Sequence, residues 1–282
     1  MEKNNIMIFS PARSGSTVLS LILGAHSRIT NFGESHWLAE DTVSKQKKSM
    51  KIVCRAHGGD CEILKNYAFD DSRYANHFAK LSEICKTDYI LTSNKTQGHY
   101  SLMDTDLLNN YSIVLYKPFE IWCGSYLSGN RKDLPKNDGE AIEVLANRYF
   151  KYFRRHEEFL KKSDFSKIYV MEYLRLVTEK ADYVKLICDF LNIEFEGQMM
   201  SFNTYLASGD KDSHPIGGNV KTYGHLNKGI DGRYSDDENN LYVERKYLQY
   251  ISKQKIQEIR NWDRVIELEE RLGIKANSLL FE

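Results

Sequence analysis

The sequence predicts a single α/β domain in which a parallel β-sheet is flanked by helices. Apolar segments of strand length alternate with longer segments of helical spacing along the 282 residues. Such alternation is typical of parallel strands joined by right-handed helical crossovers. In addition, the first apolar segment, Ile6–Ser10, runs through a glycine-containing turn into a second apolar segment. Strand, glycine turn and helix together form the layout of a phosphate-binding loop, so we expect a P-loop-type sheet.

Each expected element is an apolar segment bounded by polar, glycine or proline residues. Strands are predicted, in order, at Ile6–Ser10, Ile29–Phe32, Tyr89–Ser93, Tyr111–Tyr116 and Lys167–Met171. Helices are predicted at Thr17–His26, Tyr74–Cys85, Pro118–Leu127, Ala141–Lys162, Glu179–Leu191, Tyr247–Asn261 and Trp262–Gly273. Pro118 suits the first turn of its helix, where no amide hydrogen is needed.

The composition is that of an ordinary globular protein and excludes several classes. Hydrophobic residues make up 41% of the chain, enough to build a core, and 39 basic residues balance 39 acidic ones. A net charge of zero gives no general attraction to nucleic acid or to an anionic membrane, so any anion site must be local. We find no signal-peptide pattern and no apolar run long enough to span a membrane. The odd number of scattered cysteines fits a reducing compartment, and we expect a cytoplasmic protein.

One short segment resembles half of a metal site. Cys54 and Cys61 enclose His57 and two glycines. No second cysteine and histidine cluster at zinc spacing accompanies it in the sequence. The sequence therefore predicts no metal ion.

The loop after the first strand reads Ser-Pro-Ala-Arg-Ser-Gly-Ser-Thr over residues 10–17. In the ATP-binding version of such a loop, a lysine directly follows the second glycine. Here Gly15 is followed by Ser16 and Thr17, and the cation, Arg13, precedes the glycine. The alternative interpretation is an ordinary strand-to-helix turn. The position of the cation argues against an ATP site.

This cation placement resembles the 5′-phosphosulfate loop of sulfotransferases that use 3′-phosphoadenosine 5′-phosphosulfate (PAPS). Among these enzymes the chain is most similar to the tyrosylprotein sulfotransferases and their bacterial relatives, chiefly over residues 1–130. The resemblance implies that Arg13 neutralises the 5′-phosphosulfate. It implies also that Ser14, Gly15, Ser16 and Thr17 hold the sulfate and phosphate oxygens, with PAPS as donor cosubstrate and no metal ion.

Two residues at further strand ends match catalytic positions of these relatives. Glu34 follows the second predicted strand, and the resemblance implies that it is the catalytic base; the alternative is a carboxylate that stabilises the next helix. Lys95 follows Asn94 at the end of the third strand, where the relatives have a lysine that stabilises charge on the transferring group. The alternative for Lys95 is a solvated loop lysine.

The resemblance also implies a site for the 3′-phosphate. The relatives pair a strand-end arginine with a helix serine, and Lys117 and Ser125 have the same spacing here. Lysine keeps the positive charge but loses the bidentate fork of arginine. Arg131 would supply a second cation or simply cap the helix.

Two longer stretches complete the prediction. Residues 198–238 are rich in glycine and irregular. Within them, His214–Asn219 followed by Lys221 resembles a bacterial segment, so we expect the stretch to close over the nucleotide, and a plain surface loop is the alternative. Residues 36–88 are expected to be a partly helical insertion near the acceptor site.

The function implied is transfer of a sulfuryl group to a hydroxyl of a small molecule, lipid or glycan. An acidic tyrosine peptide is disfavoured, because Ser35, His36 and Trp37 stand where arginines would be wanted. Two other classes stay open at this point. They are a P-loop kinase, which the missing Gly-Lys-Ser/Thr disfavours, and a non-catalytic nucleotide-binding protein that keeps the fold.

Overall fold

Five parallel strands form one sheet at the centre of the computed structural model. They are β1 (Asn4–Phe9), β2 (Ile29–Gly33), β3 (Tyr89–Thr92), β4 (Asn109–Tyr116) and β5 (Lys167–Glu172), in the spatial order β2-β3-β1-β4-β5. All four pairings are parallel. The predicted α/β fold with a parallel sheet is confirmed, and each predicted strand lies within two residues of the observed one.

Helices cover the sheet and form a single domain with it. They are α1 (Ser16–Gly24), α2 (His36–Ala39), α3 (Glu62–Asn66), α4 (His77–Ile84), α5 (Phe119–Leu127), α6 (Asp138–Lys162), α7 (Tyr173–Thr178), α8 (Lys180–Leu191), α9 (Lys253–Arg260) and α10 (Asp263–Arg271). Short 3₁₀ helices span Gly197–Met199 and Lys246–Tyr250. The structure describes residues 3–39, 54–57, 61–67, 76–95, 109–129, 133–162, 167–202, 213–216 and 246–274.

The helices differ from the prediction in two places. The single helix expected at Tyr247–Asn261 is divided into a 3₁₀ turn and α9, because the Ser252 side chain accepts a hydrogen bond from the Lys255 amide and begins a new helix there. The short helix α7, which directly follows β5, was not predicted. Its apolar residues are too few to show a helical period.

Both faces of the sheet are buried, which explains the nearly continuous apolar strands. Alternate residues of β1 serve opposite faces. Ile6 and Ile8 pack in a cluster with α1 and α8, whereas Met7 and Phe9 pack with α4. A third cluster joins the end of β4 to α5, α6, α9 and α10. Among the described residues, no helix has the length and apolar character that crossing a membrane requires.

The parallel arrangement brings several strand ends together. The chain leaves β1, β2, β3 and β4 at the same edge of the sheet, where the residues after parallel strands commonly bind ligands. The ends of β2 and β3 are joined directly, since the Ser93 amide donates to the Gly33 carbonyl at 2.7 Å. This edge carries the residues that the sequence singled out.

Candidate anion-binding site at the carboxyl edge of the sheet

The loop after β1 has the backbone of an anion-binding turn. Two of its residues have left-handed backbone, Arg13 with φ 71° and Gly15 with φ 95°. Gly15 caps α1, and its carbonyl accepts the first helical hydrogen bonds, from Val18 and Leu19. The amides of residues 15–17 precede these bonds and therefore have no acceptor within the helix. Such amides, together with the helix dipole, favour an anion at this point.

The resemblance implies that the amides of residues 14–17 hold the bound oxygens, but Ser14 uses its amide within the loop. Its amide donates to the Pro11 carbonyl at 3.2 Å and so closes the turn of the loop itself. Its hydroxyl is buried and has no hydrogen-bond partner within the described part of the chain. Ser14 therefore offers its hydroxyl, rather than its amide, to a bound group.

The Arg13 side chain extends from the loop and packs against the end of α5. Its Nη1 donates to the Ser125 carbonyl at 2.7 Å and lies 3.4 Å from the Ser125 hydroxyl, and its guanidinium lies 5.3 Å from the centre of the Tyr126 ring. The residue remains exposed. The structure thus brings together Arg13 and Ser125, which the sequence assigned to two different phosphates.

Glu34 and Lys95 meet at the ends of β2 and β3. Lys95 Nζ lies 3.7 Å from Glu34 Oε1 and donates a hydrogen bond to the Ser16 hydroxyl. The two side chains are only 20% and 13% exposed. Burial lowers the pKa of the Lys95 ammonium, and the neighbouring Glu34 carboxylate opposes that shift. Lysine, carboxylate and loop hydroxyl form a connected group at the start of α1.

Two contacts that the sequence did not indicate hold Glu34 in place. The Trp37 indole donates to Glu34 Oε2 at 3.2 Å, and the Glu34 amide donates to the Ile216 carbonyl at 2.8 Å. Beside them, Asn94 Oδ1 accepts a hydrogen bond from the His36 amide at 3.0 Å. Trp37 could have been inferred from its i+3 spacing to Glu34, but Ile216 is distant in sequence and gave no signal.

Lys117 is buried beneath aromatic rings. Its residue is 3% exposed, and its ammonium lies 4.5 Å from the centre of the Tyr173 ring and 5.5 Å from that of Tyr247. The Tyr149 hydroxyl donates to the Lys117 carbonyl at 2.6 Å. Cation–π contacts offset part of the cost of burying the ammonium.

Tyr173 connects Lys117 to the loop. A Cβ atom added to Gly15 would lie 2.0 Å from Tyr173 Cε2, so the ring covers this glycine directly. Only glycine fits here, on account of both the ring and the positive φ. Nothing in the sequence pattern indicates Tyr173, because its role depends on how α7 packs against the loop.

Three predicted site residues, Arg131, Asn219 and Lys221, lie outside the described residues, as do residues 203–212 and 217–238 of the predicted closing loop. Of its described parts, residues 198–202 continue from the 3₁₀ helix Gly197–Met199. Residues 213–216 lie against the end of β2, where Ile216 forms a bridge with Gly33. The predicted insertion is partly helical, with α2, α3 and α4 among its described residues.

The assembled edge combines cations, amides and one carboxylate. Arg13 and Lys95 supply positive charge on two sides of the loop, and the start of α1 adds amides and a helix dipole. Such an arrangement can bind a divalent anion. The Glu34 carboxylate would repel that anion, and the neighbouring Lys95 ammonium offsets part of the repulsion.

No protein-family model matches this sequence, and a search of curated proteins found no match either. The fold, however, is that of known enzymes. The sulfotransferase domain from the curacin biosynthetic pathway aligns with a TM-score of 0.60 and 16% identity, covering 98% of this chain and 99% of that one. The sulfotransferase domain of the Synechococcus PCC 7002 olefin synthase aligns with a TM-score of 0.57 and 15% identity, covering 98% and 97%. The chain therefore has the sulfotransferase fold, which confirms the resemblance at the level of the fold.

Proposed function

We propose that this protein is a PAPS-dependent sulfotransferase that acts on a hydroxyl of a small molecule, lipid or glycan. The observation that carries the proposal is the contact of Lys95 with both Glu34 and Ser16 at the start of α1, within a sulfotransferase fold. A site for anion binding alone needs the cations and the amides. It does not need a carboxylate held beside them.

The chain offers suitable groups for the donor. The loop amides at the start of α1, the buried Ser14 hydroxyl and Arg13 suit the 5′-phosphosulfate, since planar guanidinium and backbone amides are the usual partners of such oxygens. Lys117 and Ser125 are assigned to the 3′-phosphate, so the Arg13 guanidinium would give up its contacts with Ser125 to bind the 5′-phosphosulfate. When bound, the donor supplies an electrophilic sulfuryl group whose leaving group is adenosine 3′,5′-bisphosphate.

Glu34 acts as general base in the proposed reaction. The acceptor oxygen forms a bond to sulfur as its proton passes to the Glu34 carboxylate, and the bond from sulfur to the bridging phosphate oxygen breaks. Lys95 and Arg13 offset the negative charge on the group in transfer and on the leaving oxygen. The protein contributes mainly position and fixed charge, as in phosphoryl transfer.

The preference for a hydroxyl other than that of an acidic peptide follows from the residues near Glu34. His36 and Trp37 occupy the start of α2, and the Trp37 indole lies against the carboxylate. An acidic peptide would require cations at this position. An aromatic residue beside the base suits an apolar or sugar-like acceptor better.

Two measurements test the proposal. Calorimetric titration without added metal should show adenosine 3′,5′-bisphosphate binding, and ligand at 100-fold over its Kd should stabilise the fold by about 2.7 kcal/mol. Radiolabelled PAPS should transfer its sulfuryl group to members of a panel of alcohols, glycolipids and sugars. No binding at millimolar nucleotide would reject the proposal. Tight binding of ATP with magnesium, and none of the bisphosphate, would favour a kinase, and binding without transfer to any acceptor would favour a non-catalytic protein.

A further inference from the structure

Four metal-ligating side chains lie together outside the proposed reaction site. They are Cys54, His57, Cys61 and His214, and their donor atoms all lie within 4.8 Å of one another. Three of the residues are buried, with exposures of 1% for Cys54, 2% for Cys61 and 7% for His214. The cysteines are free thiols in the structure.

Two of the distances between these donor atoms match those of a tetrahedral site. Cys54 Sγ lies 3.4 Å from His57 Nδ1, and Cys61 Sγ lies 3.2 Å from His214 Nδ1. Around a zinc ion with bonds of about 2.3 Å to sulfur and about 2.0 Å to nitrogen, neighbouring donors are about 3.3–3.8 Å apart. The two observed distances are close to this range, and the 4.8 Å limit on the other pairs means that the side chains would draw together by about 1 Å around an ion.

We infer that these four side chains bind one zinc ion. Two sulfur and two nitrogen donors in a tetrahedral set favour Zn²⁺ over Mg²⁺ or Ca²⁺, which prefer oxygen. On binding, each cysteine loses its thiol proton to solvent, and the two thiolates neutralise the charge of the ion. A neutral complex can be buried at much lower cost than a bare cation.

The site is structural, because the chain supplies all four ligands and leaves no open position. It joins two segments at the end of β2. Ile216 forms bridges with both Gly33 and Cys54, and the Arg55 amide donates to the Pro215 carbonyl at 2.9 Å. A zinc ion here joins residues 54–57 and Cys61 to residues 213–216. Those residues in turn supply the carbonyl that accepts the Glu34 amide hydrogen bond.

The sequence by itself showed only half of this site. Cys54, His57 and Cys61 are close in the chain, but His214 follows Cys61 by 153 residues. The expectation of no metal rested on the missing second half. The fold supplies the missing ligand, because the segment that carries His214 lies at the end of β2.

Metal content and a matched set of variants test the inference. Protein purified under reducing conditions without chelator should contain about one zinc ion per chain. Cys61→Ser and His214→Ala should lose most of that zinc. Cys85→Ser is the matched control, because Cys85 is also buried but bonds to Thr87 and lies outside the cluster. It should retain the wild-type zinc content.

A second measurement uses the wild-type chain and so does not depend on how the variants fold. After chelation in the presence of a thiol reductant, added Co²⁺ should give the visible absorption of a tetrahedral thiolate complex, and Zn²⁺ should abolish it. The inference fails if wild-type protein holds far less than one equivalent of zinc and gives no cobalt spectrum. It also fails if Cys85→Ser loses as much zinc as Cys61→Ser. Nucleotide binding takes no part in these measurements, so the result is independent of the proposed function.

Discussion

The ammonium of Lys95 lies 3.7 Å from Glu34 Oε1 and is mostly buried with it. The two residues follow different strands, and Lys95 also bonds to Ser16 at the start of α1. Both charges lose much of their hydration here, so each depends on the other. Removal of one leaves the other uncompensated, which is costlier than removal of an exposed partner.

Replacement of Glu34 by glutamine should slow the reaction without weakening donor binding. Glutamine keeps the shape and can still accept from Trp37, but it cannot take the hydroxyl proton. We expect kcat on an aliphatic alcohol to fall about 10²–10⁴-fold, with an unchanged Kd for adenosine 3′,5′-bisphosphate. Glu62→Gln, an exposed carboxylate at the start of α3, serves as control. Activity of Glu34→Gln within a few-fold of wild type would remove Glu34 from the mechanism.

As the pH rises, activity should decline at a pH below the ordinary pKa of a lysine. Burial lowers the pKa of Lys95 below 10.5, and the lysine must be protonated to stabilise negative charge. The alkaline limb of kcat/KM, which reports the free enzyme, should therefore lie below pH 10.5. The bound donor is anionic and raises the pKa again, so the limb of kcat should lie at higher pH.

Lys95→Arg provides the check on that assignment. Arginine stays protonated throughout the range, so the residual activity of this variant should lose the alkaline limb. If wild type and Lys95→Arg share the same alkaline limb in their pH–rate profiles, another group is responsible.

Replacement of Lys117 by alanine should weaken binding of the 3′-phosphate without weakening binding of the 5′ group of the nucleotide. A hydrogen bond to a charged group contributes about 1.5–3 kcal/mol, so the affinity for adenosine 3′,5′-bisphosphate should fall about 10- to 100-fold. Affinity for adenosine 5′-phosphosulfate, which has no 3′-phosphate, should change little. Lys151→Ala, an exposed lysine on α6, is the calorimetric control. If the affinities for both ligands fell equally, Lys117 would not be the residue that binds the 3′-phosphate.

Gly15→Ala should be destabilising, whereas Gly197→Ala should not. At Gly15 the alanine has a left-handed backbone, costing about 1–2 kcal/mol, and its Cβ meets the Tyr173 ring at 2.0 Å. Nothing lies within 4 Å of a Cβ at Gly197. Urea unfolding measures both variants, and Gly197→Ala should stay within about 0.5 kcal/mol of wild type. Equal stability of the two variants would contradict the close contact between α7 and the loop.

Acid should destabilise the protein through its buried histidines. The His156 ring lies 3.9 Å from that of Phe9, and burial lowers its pKa from 6.5 to about 3. Burial lowers the pKa of His77 to about 3 as well. Below pH 6.5 the unfolded chain binds protons that the folded chain does not, so the free energy of unfolding falls as the pH falls towards 3.

The variant His156→Phe isolates one of these contributions. It should reduce the acid slope of the free energy of unfolding by about 1.4 kcal/mol per pH unit relative to wild type. Above pH 6.5 both proteins carry a neutral side chain here, and their curves should run parallel. Denaturant unfolding across the pH range measures the difference. If the two curves were parallel across the whole pH range, the pKa of His156 would be the same in the folded and unfolded states.

The strands and the loop were predictable because they depend on short stretches of chain. An apolar run such as Ile6–Ser10 followed by a glycine turn specifies a strand and a helix start with little help from elsewhere. The helices near the C-terminus were less predictable. The start of α9 at Ser252 depends on one capping hydrogen bond that periodicity does not show.

The candidate site likewise has features that the sequence predicts and features that it does not. The sequence by itself determined the α/β fold class, the loop with Arg13 ahead of Gly15, and the charged residues that follow two further strands. Only the tertiary structure decided that Lys95 meets Glu34, that Tyr173 covers the loop and that His214 joins the cysteines. These contacts join residues between 61 and 160 positions apart. Local periodicity and spacing report only neighbours within a few turns, so contacts at that separation arise from how strands and helices pack, which no single segment encodes.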